Sequence, residues 1–159
     1  MPKSNEKQLN VEYSIHVNEV GDKDLPSLTL SQLWKGLVLK LTHPQEFSEQ
    51  VGECRVQWIN DIQFIREQQF PAFVIEDKVT LTPEQKIQVR SLASVTEAFS
   101  LTILIRSESD AALIVTYQYQ RASANEDGLD VDNYLAEAYK QADEASIIRI
   151  RELVYEGNI

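Results

Sequence analysis

Between residues 54 and 121 the chain carries a series of predicted strands with no helix between them, and this feature constrains the fold most. Each segment is short, rich in β-branched and aromatic residues, and bounded by a turn. Strands that follow one another through short turns pair as antiparallel neighbours. The sequence therefore predicts an antiparallel sheet with strands at 54–60, 63–70, 72–81, 86–92, 99–106 and 111–121.

Helices are predicted only outside this series. Residues 11–18 form a further half-buried strand by their alternation, and Thr29 with Gln32 then makes a capping box for a helix with an apolar stripe. Pro44 is expected to start a second short helix, PQEFSEQV. A long helix is predicted over 132–156, where Gly157 stops it. The predicted class is α+β.

The totals of the sequence restrict its location and partners. A length of 159 residues fits a single domain, predicted over 11–157, with a frayed N-terminus over 1–10. A net charge of −10 argues against nucleic acid and anionic membranes as partners. One cysteine, a polar N-terminus and no long apolar segment predict a cytoplasmic protein without a leader or a membrane span.

Two segments carry a resemblance to a known family. The string LTLSQLWKGLVLKLTHPQEF at 28–47 resembles the opening helix of the AtaL-like family, and IRIRELVYEG at 148–157 resembles the end of its last helix. The family is START-like (SRPBCC superfamily). The resemblance implies a helix-grip fold, in which a curved antiparallel sheet of about seven strands wraps around a long C-terminal helix, with two short helices after the first strand. It also implies a cavity for an apolar or aromatic molecule between sheet and helix. No catalytic motif carries over from the family.

Alternation assigns residues to the face that would line this cavity. If Phe70 pairs with Phe73, then Arg66 lies opposite Asp77 on the concave side. In the second hairpin, a turn at SESD would pair Ile103 with Val115 and Leu101 with Tyr117. The sheet residues predicted to line the cavity are Tyr13, Phe64, Arg66, Gln68, Ile75, Asp77, Val89, Ile103, Val115 and Tyr117.

The helices complete the predicted lining. In the long helix, Ala138, Ala142 and Ala145 share a stripe with Leu135 and Ile148, and small residues there would leave room beneath the helix. Close helix–sheet packing without a cavity is the alternative reading of these alanines. Trp34, beside the apolar stripe of the first helix, is a candidate lid, although ordinary packing also explains it.

Arg66 and Asp77 are the leading candidates for polar recognition. A buried charge must be paired, so each is expected to be present because of the other. Arg66 would bind an acidic oxygen of a ligand while Asp77 holds it in place. A structural ion pair is the alternative, and a slip of one residue would turn both outward. Tyr13, Tyr117 and Tyr119 offer hydroxyl groups on the same face.

Other chemistry finds little support in the sequence. His16 and His43 have no partners at metal-ligand spacing, Cys54 has no CxxC partner, and no glycine-rich phosphate loop occurs. No cofactor and no metal are therefore expected. Three functions stay open. The first is a module that binds a small lipophilic or aromatic molecule, the second a cofactor-independent cyclase, dehydratase or isomerase, and the third a protein-interaction domain that could form a homodimer.

Overall fold

The computed structural model of the protein describes residues 8–49, 51–92, 98–109, 112–125 and 127–159. Seven strands and two helices follow one another along the chain. The order is β1 (Gln8–His16), α1 (Leu30–Thr42), β2 (Cys54–Asn60), β3 (Gln63–Gln69), β4 (Val74–Thr82), β5 (Lys86–Ser91), β6 (Phe99–Ser109), β7 (Ala112–Ala122) and α2 (Val131–Tyr155).

All seven strands belong to one curved antiparallel sheet in the order β1-β7-β6-β5-β4-β3-β2. Each strand from β2 to β7 pairs with its neighbour in sequence, because short turns favour hairpins. The first strand pairs with the last, so β1 and β2 form the two edges. The predicted α+β helix-grip fold is confirmed.

Helix α1 begins as the sequence predicts. The Gln32 amide donates to Thr29 Oγ1 at 3.2 Å, and the Thr29 amide donates to Gln32 Oε1 at 2.9 Å. The predicted capping box is thus confirmed. Helix α1 lies close to α2 at Gly36, where an added Cβ would stand 2.4 Å from Ile150 Cγ2. This contact holds the two helices together on one side of the sheet.

The two segments on either side of α1 differ from the prediction. The predicted second helix is wrong: among the described residues of that segment, a single 3₁₀ turn, Pro44–Glu46, is the helical structure that forms. The segment has two apolar residues to bury, Phe47 and Val51, and an isolated turn of helix is not stable without burial. At the N-terminus, Gln8–Asn10 were predicted to be frayed but pair with Gln120–Ala122 of β7; residues 1–7 lie outside the described residues.

The predicted register of the second hairpin is wrong by two residues. Ile103 pairs with Tyr117 rather than with Val115, and Leu101 pairs with Tyr119 rather than with Tyr117. Strand β6 continues to Ser109, through three of the four residues of the predicted SESD turn, and the pairing is displaced accordingly. Because the shift is two residues and not one, every side chain stays on its predicted face.

Helix α2 turns a different face to the sheet than the alanine stripe predicts. Ala142 and Ala145 are exposed and Ala138 is only half-buried, so the prediction that they face the interior is wrong. The stripe predicted for this helix contained no charged residue. Asp143 and Arg151 are nevertheless buried on its inner face because each has hydrogen-bond partners. The buried residues of α2 are Asp143, Ser146, Ile147, Ile150, Arg151 and Leu153.

The core lies between the concave face of the sheet and the two helices, and buried side chains of the sheet, α1 and α2 contact each other there. Arg151 ties this core to the loop before α1. Its guanidinium donates to the carbonyl groups of Val20, Leu25 (2.7 Å) and Pro26 (3.0 Å). Among the described helices, none has the length and apolar content that crossing a membrane requires.

Candidate functional site

The ten sheet residues predicted to line the concave face do share one face. The first hairpin has the predicted register, with Arg66 opposite Asp77 and Phe64 opposite Val79. Seven of the ten are buried and the other three are half-buried, so the centre of this face is packed with side chains. The seven are Phe64, Gln68, Asp77, Val89, Ile103, Val115 and Tyr117.

Open space on the concave side lies between α1 and β2. A depression of about 370 Å³ is bounded by α1 on one side and by the inward-facing residues of β2 on the other. It is lined by Val38, Thr42, His43, Gln45, Cys54, Val56 and Trp58. Between the sheet and α2, Tyr119 hydrogen-bonds to Asp143 and stacks on Tyr139. We refer to the depression as the α1–β2 pocket.

Arg66 and Asp77 form a bidentate ion pair next to this pocket. Arg66 Nε donates to Asp77 Oδ1 at 2.7 Å, and Nη2 donates to Asp77 Oδ2 at 3.2 Å. Arg66 Nη1 also donates to the carbonyl of Leu41 in α1 at 3.2 Å. The side chains are 12% and 4% exposed, so both charges lie in the interior. Within the described residues the guanidinium uses three of its five N–H groups, which leaves two for another partner.

Residues of both the pocket and the ion pair are neighbours in the sheet. Val56 pairs with Arg66, and Cys54 pairs with Gln68. Burial raises the pKa of the Cys54 thiol, while the charges of Arg66 and Asp77 act on it in opposite directions. The thiol is therefore mostly protonated at neutral pH and a weak nucleophile.

A second polar cluster lies between the sheet and α2. Asp143 Oδ2 accepts hydrogen bonds from the hydroxyl groups of Tyr13 and Tyr119, the latter at 2.6 Å. Tyr119 also stacks on Tyr139 of α2, with ring centroids 4.2 Å apart. Burial, together with the negative charge of Asp143, raises the pKa of Tyr13, Tyr117 and Tyr119. These hydroxyl groups are donors that stay protonated.

Lys40 of α1 completes the cluster. Its Nζ lies 3.5 Å from Asp143 Oδ1, the oxygen that the tyrosines leave open. Burial lowers the pKa of Lys40, and the positive charge of Arg66 acts in the same direction against the opposing charge of Asp143. Two pairs of a basic and an acidic side chain thus lie on the inner side of the sheet, Arg66–Asp77 and Lys40–Asp143.

The sequence reasoning missed Lys40 and Asp143. Both interrupt apolar helical stripes: Lys40 lies among Leu33, Leu37 and Leu41, and Asp143 lies four residues before Ile147. Charged residues of opposite sign inside two buried stripes are a sequence signal for an interior ion pair.

Trp34, the candidate lid, is half-buried against the core and does not line the pocket, whereas Trp58, 49% exposed, does. Among the described residues, no group of three His, Cys, Asp or Glu is placed to hold a metal.

Comparison with known proteins identifies a family and supports the fold. The family model described as AtaL, acetylaranotin biosynthesis cluster protein L, matches residues 11–157. No curated protein is similar enough in sequence to count as a match.

Solved structures of similar fold include biosynthetic proteins. The di-domain ARO/CYC StfQ from the steffimycin biosynthetic pathway is 9% identical, with a TM-score of 0.67 over 94% of this chain; the chain spans 52% of StfQ. The Zhui aromatase/cyclase from Streptomyces sp. R1128 is 12% identical, with a TM-score of 0.65 and coverage of 92% and 95%. Norcoclaurine synthase from Thalictrum flavum is 11% identical, with a TM-score of 0.66 and coverage of 97% and 90%. At these identities the likeness establishes the fold and not the chemistry.

Proposed function

The chain belongs to the AtaL family, and from that premise we propose that it binds a small apolar or aromatic molecule in the α1–β2 pocket. The observation that carries the proposal is the pocket itself, whose volume of about 370 Å³ is within the range of about 300–1,000 Å³ typical of small-molecule sites. Val38, Val56 and Trp58 offer apolar contact, and polar groups of α1 and the following turn border them.

Arg66 gives the site a polar anchor. Asp77 and Leu41 fix its guanidinium, so a ligand would meet a pre-oriented cation at little entropic cost. A phenolate, enolate or carboxylate oxygen is the partner that such a group prefers. Similar folds support a ligand-binding role, because norcoclaurine synthase has been solved in complex with dopamine and hydroxybenzaldehyde.

Two fluorescent probes test the proposal. N-phenyl-1-naphthylamine is neutral, and 1-anilinonaphthalene-8-sulfonate carries an acidic group. We expect saturable binding of both, with the anionic probe losing more affinity than the neutral one in Arg66→Lys, which keeps the charge but not the planar fork.

Adjacent positions of β2 supply a matched control. Val56 lines the pocket whereas Gln57 is exposed on the opposite face of the same strand. Val56→Phe is expected to weaken both probes about tenfold or more, since a ring fills the space a ligand needs, and Gln57→Phe should leave binding unchanged. Equal affinities in the two variants, or no saturable binding in the wild type, would overturn the proposal.

The exposed apolar surface favours a second candidate function, association with a protein or a second copy of the chain. Trp58, Ile59 and Ile62 on the β2–β3 hairpin, with Phe73 and Val74 at the next turn, are each more than two-fifths exposed. Strand β2 is also an edge strand that can pair with another chain. Light scattering across a range of concentrations would detect a homodimer, and Ile59→Asp should abolish it. The cytoplasmic location stays a prediction.

A further inference from the structure

We infer that Lys40 is a reactive amine, positioned by Asp143 to form an imine with a small aromatic aldehyde or ketone. This site is separate from the α1–β2 pocket. At about 100° per residue, Lys40 lies on nearly the opposite side of α1 from Val38 and Thr42, which line the pocket. The inference therefore goes beyond the proposed binding function and does not depend on it.

The first support is the fixed position of the lysine backbone. Lys40 follows Gly36 by one helical turn, and at Gly36 α1 lies too close to Ile150 of α2 for a larger residue. The Lys40 backbone therefore lies one turn from a close helix–helix contact, and the contact of Nζ with Asp143 restricts the side chain. A group held in this way loses less entropy when it meets a reactant than a free side chain does.

The second support is the arrangement of groups around the amine. Asp143 is 3% exposed and its Oδ2 is held by Tyr13 and Tyr119, so that Oδ1, 3.5 Å from Nζ, is free to exchange a proton with Lys40. The rings of Tyr13, Tyr117 and Tyr119 lie with centroids 5.7–6.5 Å apart, and Tyr13, which is half-buried whereas the other two are buried, presents its ring beside the carboxylate. A partly exposed ring at this place favours an aromatic carbonyl compound.

The third support is the state and accessibility of the amine. Imine formation requires a neutral amine, and burial lowers the pKa of Lys40 while the facing charges are Asp143 from α2 and Arg66 from β3. Although it lies on the buried face of α1, Lys40 keeps 34% of its side chain accessible, so a small molecule can contact the side chain. Desolvated lysines of this kind serve as Schiff-base nucleophiles in enzymes.

The step balances with the groups present. The lone pair of Nζ attacks the carbonyl carbon, a C–N bond forms, and the carbonyl π pair moves to oxygen. Asp143 accepts one proton from the attacking nitrogen and returns it to the oxygen, which gives a neutral carbinolamine. A second proton, taken up from solvent water, then lets the hydroxyl group leave as water. The product is an iminium ion on Lys40, and addition of water reverses the step. No oxidant or reductant takes part.

Reductive trapping tests the inference on the intact protein. The protein is incubated with benzaldehyde and cyanoborohydride, which converts an imine into a stable benzylamine, and peptide mapping locates the label. We expect Lys40 to be labelled about tenfold or more faster than Lys35, an exposed lysine of the same helix, with saturation as benzaldehyde increases. Benzyl alcohol, which cannot react, should slow the labelling of Lys40 only.

Variants separate a reactive amine from a structural ion pair. Asp143→Asn should slow labelling of Lys40 about tenfold or more because the proton acceptor is lost, while the exposed Tyr155→Phe should not change it. Val56→Phe should prevent binding of the naphthylamine probe and leave the labelling of Lys40 unchanged. The two results therefore distinguish a wrong proposal about the pocket from a wrong inference about Lys40. In the wild-type protein, labelling of Lys40 at the same rate as Lys35 and without saturation would by itself overturn the inference.

Discussion

The ion pair between Arg66 and Asp77 gives a direct test of the interior in this structure. Replacing Arg66 by Met removes the positive charge and keeps most of the side-chain volume. Asp77, only 4% exposed, would then be a buried carboxylate without its bidentate partner, and the Leu41 carbonyl would lose a charged donor. The variant isolates the electrostatic cost of burying an unpaired charge.

The expected magnitude follows from the burial of the pair. Removing one member of a buried ion pair costs about 3–5 kcal/mol, whereas replacing both by apolar residues of similar volume is about neutral or stabilising. For a chain of this size, each kcal/mol shifts the melting temperature by about 2–4 °C. Arg66→Met is therefore expected to melt roughly 6–20 °C below the wild type, and Arg66→Met/Asp77→Leu should recover most of that loss.

Urea denaturation followed by circular dichroism measures the effect, with Arg55→Met as the control. Arg55 forms an ion pair with Glu53, but both side chains are more than half exposed, so its loss should leave stability unchanged within error. A loss of less than about 1 kcal/mol in Arg66→Met, or a double variant as unstable as the single one, would refute the interior placement of the pair.

Three further predictions concern the tyrosine cluster, the helix contact and the cysteine. Because burial and Asp143 raise the pKa of Tyr119 above its ordinary 10.0, the unfolded chain loses this proton first. The free energy of unfolding should thus fall as the pH rises above 10.0. It should fall less steeply in Tyr119→Phe and as steeply as in the wild type in the exposed Tyr155→Phe. Urea denaturation at several pH values that gives Tyr119→Phe the same pH dependence as the wild type would contradict this. Gly36→Ala should cost about 1–3 kcal/mol by overpacking against Ile150, and Ile150→Ala should remove that cost, whereas additive losses would exclude the clash. Cys54 should react with iodoacetamide more slowly than a free thiol, because burial raises its pKa. The reaction should be slower still with the naphthylamine probe bound, because the probe would cover the thiol in the pocket. A rate that the probe does not change would argue against the pocket.

The sheet was predictable because its signals are local. Alternation fixes which face each side chain takes, and the short turn at Pro71 fixes the register of the first hairpin, so Arg66 and Asp77 meet as predicted. In the second hairpin β6 extends through most of the SESD segment to Ser109, which changes the register by two residues without changing the faces. Polar residues such as these suit a turn and an exposed strand end alike, so the sequence does not mark where the strand stops.

The helix contributions were harder to predict because they depend on contacts between distant segments. Whether Asp143 can be buried depends on Tyr13 at the start of the chain and on Tyr119 in the last strand, residues separated from it by 130 and 24 positions. A charged residue is assigned to the surface when its partner is unknown. The exposed alanines of α2 and the missed Lys40 follow from that single assumption.

Helix α1, and not the long α2, emerges as the element on which the functional hypotheses converge. One side of it lines the α1–β2 pocket through Val38 and Thr42, its buried side carries Lys40, and its last turn accepts a hydrogen bond from Arg66. At Gly36 the helix lies against Ile150 of α2. Because the pocket and Lys40 lie on nearly opposite sides of α1, a ligand in the pocket can leave the surroundings of Lys40 unchanged, and the two hypotheses are tested separately on one helix.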